Sequence, residues 1–195
     1  MSTSAKKKEV DFYPEIKDFI SSQLKSNFLA SNHKTLHVFW EIGELSTKLN
    51  KIISEHPAEC QCLKEYAQTV PPLNLDIFAV ITDGEHFEIL ILEVKYLSSV
   101  GLQQLSQLIG YCIVSNARYG ILLNIDGQGS SRLTNLLQND EDLSKIIRLS
   151  KGEKVEHKLG FMIWDSITKN FEYTNLGQLS TISGLSDSLS RDFSK

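Results

Sequence analysis

The chain has 195 residues, 41% apolar and 23% charged, the balance of a globular domain and not of a disordered chain. That length can bury a core without metal or disulfide staples. Lys and Arg total 20 against 24 Asp and Glu, a net charge of -4 that excludes gripping a polyanion by bulk positive charge; a nucleic-acid ligand needs a local basic patch or metal ions.

Residues 1–10 are polar and carry Lys6, Lys7 and Lys8, which reads as a frayed, solvated arm. No apolar signal core follows, and no run of about 18 apolar residues occurs. With three cysteines, an odd count, a fully paired disulfide framework is excluded, and the expectation is a soluble, cytoplasmic protein with no membrane partner. Pro14 suits a first helical position, and Ile16, Phe19, Ile20 and Leu24 follow at helical spacing, predicting a helix over 14–26. After a polar break at 27–34, the apolar positions from Leu36 to Ile53 predict a helix over 35–56, with a short strand over 36–40 as the alternative. A third helix is expected over 58–68, before Pro71 and Pro72. Residues 27–71 thus read as a helical insertion.

The centre of the chain is the most legible part. Leu75 to Thr82 is apolar and partly β-branched, Asp83-Gly84 is a two-residue hairpin signal, and Ile89 to Leu92 is an unbroken aliphatic run. A strand without polar alternation is covered on both faces. Ser98 and Ser99 can cap a helix over 100–116, and 119–125 is another buried strand. Helices over 131–138 and 141–149, and a hairpin of 159–164 with 170–173, complete a domain spanning 1–176. The last 19 residues hold six serines and read as a flexible tail, 177–195. The pattern is an α/β fold: a mixed sheet flanked by helices, with an antiparallel hairpin and then a helical crossover to a parallel strand.

With Asp83-Gly84 as the turn, Thr82 pairs with Glu85 and Asp76 with Ile91. Asp76 then shares a sheet face with Glu93 and Lys95, because side chains alternate along a strand. Diagonal neighbours lie roughly 7–8 Å apart, close enough for two carboxylates to share one divalent cation. Charges at the end of a buried strand call for a partner or a metal. Two acids beside one lysine leave a net negative pocket, and hard oxygen ligands suit Mg²⁺, with Mn²⁺ as a substitute.

Leu75-Asp76-Ile77, a hairpin, and then Ile91-Leu92-Glu93-Val94-Lys95 resemble the core motif of the PD-(D/E)XK nucleases, a restriction-endonuclease-like family. Leu75 stands where the family name has proline. Gln107 and Tyr111, four apart on the next helix, are similar to the QxxxY motif of its RecB-like branch. The resemblance covers residues 12–28 and 73–126. It implies a Mg²⁺-dependent DNA endonuclease, restriction-type, with Asp76 and Glu93 on the metal, Lys95 placing the attacking water, and Gln107 and Tyr111 supporting the site or the substrate backbone. It also implies a metal-assisting glutamate on the first helix, for which Glu15 is the candidate and Glu41 the rival. Cutting a duplex with one site per chain implies a homodimer. The alternatives are a non-catalytic binding or assembly protein on the same scaffold, and a nuclease for branched DNA or RNA.

The remaining patterns carry less. Cys60 and Cys62, with His56 nearby, form half of a zinc site at most, and Cys112 falls on an apolar helix face. His33 and His37 lack the acid of a metalloprotease motif. Asp126-Gly127-Gln128-Gly129 lacks the Lys-Ser/Thr of a phosphate loop and reads as a turn.

Overall fold

The computed structural model describes residues 7–150 and 152–194; Lys6 and the rest of the arm before Lys7 lie outside them. A 3₁₀ turn, Glu9–Phe12, opens into α1 (Tyr13–Asn32). Then come β1 (His37–Glu44), α2 (Leu45–Glu55), a short α3 (Lys64–Thr69), β2 (Asn74–Thr82) and β3 (Phe87–Lys95). The short β4 (Ser99–Val100) leads into α4 (Leu102–Ser115), β5 (Tyr119–Ile125) and the short β6 (Gln128–Gly129). The chain continues with α5 (Ser131–Asn139), β7 (Lys145–Ser150), β8 (Glu153–Asp165), β9 (Asn170–Gly177) and α6 (Ile182–Asp192).

Among the described residues, seven strands form one sheet in the order β1-β2-β3-β5-β8-β7, with β9 also on β8. β1, β2 and β3 run antiparallel to their neighbours in turn, whereas β3, β5 and β8 are parallel. This is the mixed sheet with flanking helices that the pattern predicts. The crossover from β3 to β5 through α4 is what makes that pair parallel, since a tight hairpin cannot. Both faces are dry. Ile77, Ala79, Ile81, Leu90, Leu92, Val94, Ile121 and Leu123 pack towards α1 and α6. Phe78, Val80, Ile89, Ile91, Leu122 and Phe161 pack towards α2, α3, α4 and α5. Alternate residues of each strand meet different helical layers, so the strands carry no polar alternation.

Five expectations need correction. The helix over 35–56 is a strand followed by a helix: Val38, Phe39 and Trp40 lie in β1, paired to β2, and Glu44 caps α2 by accepting from the Thr47 N–H. Residues 27–71 are therefore not a helical insertion, because they supply an edge strand of the main sheet. α1 also runs on to Asn32, since Phe28 extends its buried stripe. The helix over 141–149 is a 3₁₀ turn, Glu141–Ser144, followed by β7, whose Ile146 and Ile147 suit a strand paired to β8. The flexible tail is α6, capped by Thr181 and buried through Ile182, Leu185, Leu189 and Phe193 against the α1 layer. The serines there sit between the stripe positions and hide it from a composition count.

Candidate active site

The β2–β3 hairpin positions the site. The Asp83-Gly84 signal predicts a two-residue turn, but Thr82 pairs with Phe87 and Ile77 with Leu92. The loop is therefore Asp83–His86, and the register is displaced by two residues. Two is the pleat period, so the shared face survives where a one-residue slip would have lost it. Asp76 follows the last β2–β3 pair, Ile77 with Leu92, and is itself outside that ladder.

A second device aims Asp76. Glu41 pairs with Phe78 but Gly43 with Leu75, so β2 carries one more residue than β1 over that stretch. Such a bulge re-aims side chains and loosens pairing. The Asp76 carboxylate swings onto β3, where its Oδ2 accepts from the Val94 N–H at 3.2 Å and from Lys95 Nζ at 2.9 Å. Lys95 Nζ also lies 2.6 Å from Glu93 Oε1. The side chains of Asp76, Glu93 and Lys95 are 29%, 1% and 20% exposed, so Glu93 is the sealed floor of a site open on the Asp76 side. Oε1 is held by that Lys95 contact, which pulls the Glu93 pKa down, whereas the equally buried Oε2 has no partner. A buried carboxylate oxygen left without a donor costs about 1–3 kcal/mol, a cost that a bound cation would offset.

Glu9 is a further acid here, which the sequence reading assigned to a frayed arm. The 3₁₀ turn sets it beside the strand ends, where it accepts a hydrogen bond from Tyr13 Oη at 2.8 Å and feels the charges of Lys95 and Asp76. Burial is the main cause raising the Glu9 carboxyl above its usual range, and the Asp76 charge adds to it. Burial likewise raises Glu93, with Asp76 and Glu9 adding and Lys95 opposing. For Lys95, burial works against the ammonium, but Glu93 and Asp76 outweigh it and hold its pKa above the ordinary value. Lys95 is thus a fixed cation among three acids, and the ionised cluster is net negative. Its signal in the sequence was the Glu9/Tyr13 pair at i, i+4.

The other predicted site residues lie elsewhere. Glu15 pairs with Lys169 at 2.8 Å, and Glu41 on β1 pairs with Lys48 and Lys51. Neither joins Asp76, Glu93 and Lys95. On α4, Gln107 Nε2 donates to Tyr111 Oη at 2.9 Å, so the two share a face as the spacing predicts, but neither bonds to the acidic cluster. A residue not singled out in the sequence is Asn124, fully buried beside Lys95 across the β3–β5 pair. Its amide donates to Leu97 O and Gln128 O and accepts from the Leu97 N–H, pinning the chain just after Lys95. The same clamp requires Gly127, because a Cβ there would stand 1.9 Å from Leu97 O.

Asp83, Glu85 and His86 form the tightest group of potential metal ligands among the described residues. Lys34 already bridges Asp83 and Glu85 at 3.3 Å, and Asp83 accepts from the Glu85 and His86 N–H groups. That group braces the hairpin loop. Cys60 and Cys112 are buried thiols, raised to about 11 and about 12 mainly by burial, and neither forms part of a ligand set.

No family model, no curated protein and no solved structure matches the chain. Among the described residues, no helix is long and apolar enough to cross a membrane.

Proposed function

We propose that the chain is a divalent-metal-dependent DNA endonuclease on a restriction-endonuclease-like scaffold of the PD-(D/E)XK kind, restriction-type, with Mg²⁺ as the working ion and Mn²⁺ as a substitute. One observation carries this reading: a fully buried glutamate, Glu93, whose Oε1 is met by the Lys95 ammonium at 2.6 Å and whose Oε2 has no partner, stands with Asp76 and Lys95 at the open end of two paired strands. A structural ion pair would be expected to close its hydrogen bonds. A site for a hard cation leaves carboxylate oxygens free.

In this reading Asp76 and Glu93 hold the ion, and Glu9 takes the role that the resemblance gives to Glu15. A divalent ion held by these carboxylates would supply polarisation of a phosphodiester and a lowered pKa for bound water. The chain's own groups do the rest. Glu93, sealed from solvent, fixes the ion's position; Asp76, held by the Val94 N–H, keeps its second oxygen available. Lys95 stays protonated and supplies a donor for an attacking water or for charge developing on a phosphate oxygen. Gln107 and Tyr111 bond to each other and not to the cluster, and take the role of contacting the substrate backbone. Cutting both strands of a duplex calls for two copies of a chain with one such centre.

Plasmid cleavage tests the proposal. Supercoiled DNA is incubated with the wild type in Mg²⁺, with the wild type in EDTA, and with Lys95→Ala in Mg²⁺; linear duplex, branched DNA and RNA run in parallel. Cleavage in the first sample alone supports the reading, and the preferred substrate defines its class. Equal nicking in all three samples removes the catalytic claim. Metal binding without cleavage of any substrate replaces the enzyme with a binding protein.

A further inference from the structure

The main sheet ends at β1 on one side, and no described strand lies beyond it. This edge is unusual in being long and apolar. The strand runs from His37 to Glu44 with no proline and no lysine, and Val38, Phe39 and Trp40 sit in succession; Glu41, Glu44 and the register shift at Glu41/Gly43, where Gly43 takes a φ of +99°, fall in its second half. Edge strands are normally blunted by charge, proline or brevity, because their free N–H and C=O groups template pairing with another chain. α1 and α2 cover the faces of β1: Trp40 Nε1 donates to Ser21 Oγ, and Phe39 stacks on His56 at 4.2 Å. The outer edge itself stays open, and Ile42 is 43% exposed.

We infer that this edge pairs with a second copy of the same chain, β1 against β1 and antiparallel, making one sheet continuous through a two-fold axis. The strand selects that occupant because it is complementary to itself in one register. With Phe39 on the axis, each Val38 comes opposite the other copy's Trp40, and each Leu36 opposite its Ile42. Each His37, a ring N–H donor, comes opposite its Glu41, whose carboxylate also pairs with Lys48 and Lys51 of its own chain. Apolar residues meet apolar ones, the single acid in the paired stretch meets the single histidine, and no like charges oppose. Such a closed, isologous interface leaves no edge for further growth. The opposite rim is a poorer candidate: β7 carries Lys145 and Arg148 and no acid between Lys145 and Ser150, so its self-pairing opposes no charges of unlike sign. The inference does not depend on the site being a nuclease.

The test joins solution mass with register-specific cross-linking in the full chain. Sedimentation across a concentration series reads twice the 22.0 kDa chain mass if the inference holds. On a Cys62→Ala background, Phe39→Cys cross-links to its own copy on oxidation, as residues directly opposite have Cβ atoms about 4.5–5.5 Å apart. Val38→Cys and Trp40→Cys each stay unlinked alone and link when mixed. His37→Glu, which sets two glutamates opposite each other twice per dimer, weakens association about tenfold while leaving the melting temperature of the dilute, monomeric chain unchanged. A chain that stays at 22.0 kDa at every concentration overturns the inference. So does a dimer in which Phe39→Cys fails to cross-link, because its interface then lies elsewhere.

Discussion

Replacing Glu93 by glutamine separates a metal site from a structural ion pair, because the two accounts predict opposite signs. Removing one partner of a buried pair ordinarily costs about 3–5 kcal/mol, since it strands the other charge. Lys95 is not stranded here: Asp76 Oδ2 remains 2.9 Å from its Nζ. The change also removes a carboxylate that is buried, has one oxygen, Oε2, without a donor, and is repelled by Asp76 and Glu9. Without metal, then, Glu93→Gln should be neutral or stabilising, by on the order of 1 kcal/mol. With metal the order inverts. A cation at a hundredfold excess over its Kd stabilises the wild type by about 2.7 kcal/mol, which for a chain of this size is a rise of about 5–10 °C in Tm. The variant should gain little of that. Thermal unfolding of both proteins in EDTA, Mg²⁺ and Mn²⁺ measures all the terms. Equal metal-induced shifts in the two proteins would refute the reasoning. So would a loss above about 3 kcal/mol for Glu93→Gln in EDTA, the signature of an ordinary buried pair.

Other expectations follow from the same geometry. Glu9→Gln should reduce the Mg²⁺-induced rise in Tm and the cleavage rate, whereas Glu15→Gln, which only releases Lys169, should change neither; the paired melts and plasmid assays decide. Leu189→Ala should cost about 2–5 kcal/mol in urea unfolding, since the side chain is fully buried between α6 and the α1 layer, and a loss under 1 kcal/mol would argue for a loose terminus. Glu88 is pushed up to about 7 mainly by burial, against the pull of Arg118 at 2.8 Å. Its folded pKa lies above its unfolded one, so the stability it contributes is full below about pH 4.5 and is lost as the pH rises through 7. Unfolding at pH 5 and pH 8 should therefore show Glu88→Gln near the wild type at the lower pH and more stable at the higher, by roughly 3 kcal/mol at most; a difference that does not change with pH would contradict the assignment.

The parts legible in the sequence were those set by local pattern. Ile89 to Leu92 could only be a strand buried on both faces, and Glu93 and Lys95 at its end had to share a face. The hairpin register is not legible in Asp-Gly alone, because Asp83 accepts from the Glu85 and His86 N–H groups and holds a four-residue loop where Asp-Gly suggests two. The face was still correct, because the error matched the period of the pleat. The bulge that turns Asp76 onto Val94 depends on a mismatch between β1 and β2, which neither segment displays alone. Glu9 was overlooked because three lysines just before it made the segment read as solvated, while Phe12 and Tyr13, which bury it, come only afterwards. β1 resembled a helix because Leu36, Phe39 and Trp40 fit both periods, and only its pairing to β2 distinguishes them. α6 was lost to its serines, although Ile182, Leu185 and Leu189 keep a helical stripe between them.

The central claim is that Asp76 and Glu93 share a divalent cation. Anomalous diffraction from a crystal soaked in Mn²⁺ tests it most directly. The account predicts a peak within bonding distance of one oxygen from each carboxylate, with Lys95 Nζ drawn away from Glu93 Oε1. A peak only at the Asp83–Glu85–His86 loop, or a Lys95 still seated between two metal-free carboxylates, would contradict it.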